Sequence, residues 1–140
     1  MTIAKAVRDK LQGEATVAAL VGEFANRAAV FEKGAAPVGY DVENDGACVI
    51  IGGAVGTQNE DTTDAYRSRE NYRIRCYAPE GREKAQKLAE AVKKALHDKL
   101  LAVAGLEISG MTATRPTGAP TSSPSVEGRL VNLTIHLKEL

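Results

Sequence analysis

Asp41, Glu43 and Asp45, followed by Gly46, have the spacing with which an EF-hand loop begins to collect oxygen ligands for calcium. That loop needs a bidentate Glu at its twelfth position, which here is Gly52, and helices on both sides, which the flanking sequence does not predict. Gly52-Gly53-Ala54-Val55-Gly56-Thr57 follows an apolar run, as phosphate-binding loops follow strands. It lacks the Lys-Ser/Thr of a P-loop and the glycine spacing of a dinucleotide site, so it reads as a flexible exit from a strand. Glu60, Asp61 and Asp64 could form a carboxylate pair, but acid–base work needs burial to lift a pKa towards 7, and this stretch is polar throughout. His97 and His136 have no Cys or carboxylate at ligand spacing and read as solvated or locally bonded. Cys48 and Cys76 each lie in an apolar, strand-like run; buried inert thiols are the first reading and a disulfide or metal pair the second. No nucleophile is paired with a base. The sequence therefore predicts no catalytic residues, no metal, no cofactor and no enzyme activity.

Arg69, Arg73 and Arg75, with Tyr72 and Tyr77 among them, pose a different question. A sheet presenting them could stack and cradle single-stranded nucleic acid. It could equally be a solvated strand face, or a basic surface that mates with the acidic stretch of a neighbouring subunit. Composition bears on the choice. The chain has 140 residues with 18 Lys+Arg and 18 Asp+Glu, and its pI is near 6.7, whereas a dedicated nucleic-acid binder is usually basic. The balance conceals a partition. Between Gly34 and Tyr66 six acids stand without a base, and between Arg67 and Lys99 ten bases stand against five acids.

The elements that must position these residues follow from periodicity. With 44% hydrophobic and 26% charged residues the chain reads as one globular domain over 1–140, and 4% aromatics imply an aliphatic core. Thr2 can cap a helix with Ile3, Val7 and Leu11 on one face, and a short second turn spans 14–21. Residues 28–31 form a weak strand, and the continuous apolar run 48–51 a firmer one, covered on both faces or meeting a partner. Residues 70–78 alternate, with Tyr72, Ile74, Cys76 and Ala78 on one face and Arg73, Arg75 and Tyr77 on the other. A long helix is predicted over 82–102 from Ala85, Leu88, Ala89, Val92, Leu96 and Leu100, with Glu83/Lys87 and Glu90/Lys94 paired on its wet face. Strands around Leu106–Ile108 and over 128–137 complete the pattern. The fold class is α+β: a mainly antiparallel sheet, with the long helix and a short N-terminal helix packed on one face. Two stretches, 52–68 and 115–127, carry no pattern and are expected as long loops that order on a partner. No secretory signal or membrane-spanning run is visible, so folding in a reducing cytoplasm is expected.

The order of parts is itself informative. A short helix leads into Val17-Ala18-Ala19-Leu20-Val21-Gly22 and then Asn26-Arg27-Ala28-Ala29-Val30-Phe31. A strand at Cys48-Val49-Ile50-Ile51 and a polar stretch come next. Then Tyr72-Arg73-Ile74-Arg75-Cys76-Tyr77-Ala78 feeds an Ala/Leu helix, and Gly128-Arg129-Leu130-Val131-Asn132-Leu133-Thr134-Ile135 closes the chain. This layout resembles the tail completion, or tail terminator, family of long-tailed bacteriophages and phage-derived particles. It departs from the family habit at Val38-Gly39-Tyr40, where a more Pro- and Ile-rich strand is usual. The resemblance implies a structural virion protein of the tail-neck region, assembled in the host cytoplasm. It implies a hexameric ring that caps the tail tube, ends its polymerisation and offers a joining surface to the head. Its partners would be other copies of itself, the tail tube protein and head–tail connector proteins, with DNA only as passing cargo and no membrane. On that reading Glu60, Asp61 and Asp64 of one subunit face Arg73 and Arg75 of the next. The alternatives are a head–tail connector adaptor and a small nucleic-acid- or ligand-binding α+β module.

Overall fold

The computed structural model describes residues 3–60, 67–79, 81–119, 121 and 125–139; for residues 54–60, 67 and 139 the backbone alone is described. The helical spacing at the start of the chain forms α1 (Ile3–Gly13), which buries Ile3, Ala6, Val7 and Leu11. A single turn, α2 (Ala15–Ala18), buries Val17. β1 (Glu23–Phe24) and β2 (Arg27–Ala28) form a small hairpin across Ala25 and Asn26. Both turn residues have positive φ, 51° and 64°, as a tight two-residue hairpin requires. β3 (Val30–Phe31), α3 (Val42–Asp45), β4 (Cys48–Glu60), β5 (Arg67–Ala78), α4 (Arg82–Leu96), β6 (Leu106–Ala113), β7 (Thr117–Ala119) and β8 (Glu127–Glu139) follow.

The main sheet runs in the order β3-β4-β5-β8-β6, with β7 continuing along β8 beyond β6. Only β3 and β4 pair in parallel, so the sheet is mainly antiparallel, as expected. The aliphatic alternation selects one face. Val49, Ile51, Ile74, Cys76, Val131 and Leu133 are buried there with Leu88, Val92 and Leu96 of α4 and with Val7 and Leu11 of α1. A smaller cluster on the opposite face joins Ala29, Cys48 and Ile50 to Phe31, Tyr40 and Tyr77. The run 48–51 is thus covered on both sides, which is why it shows no alternation.

Four expectations need correction. Residues 52–60 and 67–68, expected within a loop, belong to strands: β4 and β5 stay paired out to Glu60 opposite Arg67. Two register shifts near Gly52–Gly56 and the polar run 57–59 removed the apolar alternation by which a strand is read from sequence. The stretch 115–127 likewise contains β7, and its Ser125 hydroxyl donates to Glu43 at 2.6 Å. The long helix ends at Leu96 rather than near 102. There β6 competes for the chain: the Asp98 N–H donates to the Met111 carbonyl at 3.0 Å, and Asp98 turns to φ 56°. On the wet face of α4, Glu90 accepts from Gln86 at 3.0 Å, and among the described residues no ion pair joins it to Lys94 or Glu83 to Lys87.

Candidate assembly surface

Helices α1 and α4 cover one face of the sheet; the other carries α3 and the small cluster over β4 and is otherwise largely open. Odd-numbered residues of β5 point to that open face, since Ile74 and Cys76 between them are fully buried on the helix side. Arg75 stands between Ile50 and Leu130 on the flanking strands, and Arg73 opposite Asn132. Arg73, Arg75, Tyr77, Ala119 and Leu130 line a shallow cavity of about 340 Å³. Register places Arg67 and Arg69 in the same column, opposite Lys138 and His136. Among the described residues no carboxylate pairs with Arg73 or Arg75. Side chains two residues apart leave a strand about 6.6 Å from each other, and two positive charges at that spacing repel by roughly 0.6 kcal/mol in water, more as water is removed. Such a pair favours a counter-charge from outside the chain.

Of the acids expected to supply it, Glu60 ends β4 in register with Arg67. Six residues of strand, about 20 Å, then separate it from Arg73, so the two do not meet within one chain. Asp61 and Asp64 lie outside the described residues. The linear charge partition is also more scattered in space than in sequence. Asp41 and Asp45 belong to α3, some twelve strand residues from Glu60, and the lysines of α4 lie on the far side of the sheet from Arg73.

The other candidate residues resolve locally. Asp41 caps α3: its carboxylate accepts from the Glu43 N–H at 3.1 Å and from Asn44 Nδ2 at 2.7 Å, while Asp45 accepts from the Asp41 N–H at 2.9 Å. The EF-hand-like spacing is thus a helix cap. His97 Nδ1 accepts the Ala113 N–H at 3.1 Å, so Nε2 carries the proton and lies 3.2 Å from Asp98. Cys48 and Cys76 are both free and buried. They stand one register position apart on adjacent strands and so point to opposite faces. Burial pushes the Cys48 thiol up to about 12 and raises Cys76 as well, where the neighbouring Cys48 adds to the effect. Neither is a reactive thiol.

Sequence reasoning missed an aromatic cluster. Phe24, Phe31 and Tyr40 meet edge to face, with ring centroids 5.1 to 6.1 Å apart. Phe24 and Phe31 of this cluster line a second, larger concavity of about 480 Å³ at the β3 edge. The three positions fit no period, but three of only six aromatic residues falling between 24 and 40 was the available signal.

No helix among the described residues is long and apolar enough to cross a membrane. A solved structure, the virion of a native gene transfer agent particle, contains a chain with the same fold. The TM-score is 0.78 at 19% identity, covering 97% of this chain and 94% of that one. Among curated proteins there is no sequence match. The model of the family described as tail completion protein gp17 matches residues 5–122. The chain therefore belongs to the tail completion protein gp17 family and is a structural protein of phage-type virion tails.

Proposed function

We propose that the protein forms a ring of six subunits that caps the tail tube, halts its growth and presents a surface to the head connector. The observation that carries this is Arg73 and Arg75 side by side on the open sheet face, with no acid of the same chain against them among the described residues. A heterologous contact, in which the acids Glu60, Asp61 and Asp64 of one subunit meet those arginines on the next, supplies the missing charge and repeats around a ring. The single unit 1–140 is the ring's repeating part, and the protein acts by binding rather than by catalysis. Its partners on this reading are other copies of itself, the tail tube protein and the head–tail connector proteins.

Sedimentation of full-length charge variants tests the pairing. Reversing Glu60, Asp61 and Asp64 to Lys weakens assembly, and adding Arg73→Glu and Arg75→Glu partly restores it. Equal assembly of all variants contradicts the pairing. The column of arginines in register with Lys138 and His136 also favours a second reading, contact with nucleic acid. Salt-dependent retention of single-stranded DNA by the isolated chain would support that reading over the first.

A further inference from the structure

Exposed large apolar side chains are few among the described residues: Leu20, Phe24, Val38 and Leu100. Two of them, Phe24 and Val38, line the concavity at the β3 edge together with Val30, Phe31 and Pro37. At its rim Arg8 is already paired with Glu32 at 2.6 Å, whereas Arg27 and Lys33 are exposed and have no acid partner among the described residues. Glu23 stands beside Phe24 on the same small hairpin.

Leu100 lies at the other end of the sheet. It follows the turn at the end of α4, and that turn is fastened to the outer edge of β6 at two points. One is the Asp98 N–H to the Met111 carbonyl, the other the Ala113 N–H to His97 Nδ1. The fastening holds Asp98 at a φ of 56°, a conformation a non-glycine residue keeps only when its surroundings impose it. Leu100 is presented 67% exposed, and the Asp98 side chain is 81% exposed. An apolar knob flanked by Asp98 and Lys99 therefore stands at the β6 edge. An apolar hollow flanked by Arg27, Lys33 and Glu23 stands at the β3 edge. The strand order puts these edges four strand spacings apart, about 19 Å.

We propose that Leu100 of one subunit seats in the Phe24–Phe31–Val38 hollow of the next, with Asp98 facing Arg27 and Lys33. Knob and hollow sit on different surfaces, so the contact is head-to-tail and repeats with a single rotation from subunit to subunit. The occupant is a second copy of this chain because the same molecule carries both the apolar match and charges of opposite sign at each rim. The inference rests on the ring reading and assigns it an apolar contact in addition to the charged one.

The test uses full-length chains bearing Val38→Cys or Leu100→Cys, two exposed sites whose substitution leaves the core untouched. The native thiols, both buried, serve as silent background. Mixed in equal amounts under mild oxidation, with and without tail tubes, the two variants should form an interchain disulfide that neither forms alone. Leu100→Asp should lower the assembled fraction about tenfold. Asp98→Lys should weaken assembly, and Lys33→Glu should recover part of the loss. A wild-type ring combined with absent cross-linking, or with a Leu100→Asp chain that assembles normally, overturns this contact and leaves the ring standing. A wild-type chain that stays monomeric under every condition overturns both. Cross-linking of Val38→Cys to the tube protein instead of to Leu100→Cys also overturns the contact.

Discussion

His97 and Ala113 are joined across the end of the long helix: the ring Nδ1 accepts the Ala113 backbone N–H at 3.1 Å. This bond does two things. It stops α4, and it covers part of an outer edge of the sheet that would otherwise offer unpaired donors and acceptors to any strand. Replacing His97 with Ala leaves the Ala113 donor without its acceptor, which costs about 1–2 kcal/mol. Thermal denaturation should show Tm lowered by roughly 3–8 °C, and hydrogen exchange at Ala113 and Met111 should accelerate. An unchanged Tm would mean that the edge is secured by other contacts.

Gly22 packs against the end of α3 so closely that a Cβ there would lie 2.1 Å from the Asp45 carbonyl oxygen. The same glycine donates to the Ala47 carbonyl at 2.8 Å, and Tyr40 closes the cluster by donating to Gly46 at 2.8 Å. Because the obstacle is backbone, it cannot swing aside as a side chain would. Gly22→Ala should therefore cost about 1–3 kcal/mol, measurable as a lower urea midpoint at an unchanged slope. Gly53→Ala, with nothing within 4 Å of the added carbon, should not show this loss.

The buried thiols give the protein an alkaline limit. Burial raises the Cys48 pKa from its ordinary 9.0 to about 12 in the folded chain. Between those values the unfolded chain gives up the proton while the folded chain keeps it, so stability is intact below pH 9 and is lost as pH rises towards 12. Cys76 shifts in the same direction, again mainly through burial. Tyr72 does so through burial, its hydrogen bond to Glu70 and the Glu70 charge. The unfolding free energy from urea titrations should fall steadily from pH 9 upward, by as much as about 1.4 kcal/mol per pH unit for each thiol. Cys48→Ala should flatten the profile. At pH 8 neither thiol should react with iodoacetamide until denaturant is added.

On the proposed pairing, Arg73 and Arg75 govern how assembly depends on salt. If their counter-charges come from a neighbouring subunit at a half-exposed surface, raising ionic strength from about 0.05 to 0.5 M shortens the screening length severalfold and should weaken self-association. Arg73→Gln with Arg75→Gln should remove most of that dependence while leaving Tm within about 1 °C, since neither arginine supports the core. Loss of assembly without loss of salt dependence would place the charged contact elsewhere.

The sequence was most legible where one face is buried. The alternation at Tyr72–Ala78 separated Ile74 and Cys76 from Arg73 and Arg75 correctly, and the spacing of Leu88, Val92 and Leu96 located α4. Residues 57–60 are polar without alternation, so the pattern carries nothing there, and they enter a strand that only backbone pairing reveals. The helix end at Leu96 was hidden for another reason. Leu100 and Val103 continue the helical period, but Val103 reaches the core from an irregular segment while Leu100 points to solvent. The aromatic cluster was illegible because Phe24, Phe31 and Tyr40 come from three separate turns and strands that only the tertiary fold brings together.

On the proposed function, copies of this chain close into a ring that ends a tail tube. The most direct measurement is electron microscopy of tail tubes polymerising from their own tube protein, with the full-length chain added during growth. The account predicts closed rings seated on tube ends and tubes that stop lengthening once the rings are present. Tubes that grow at an unchanged rate, with bare ends and the chain left free in solution, would contradict it.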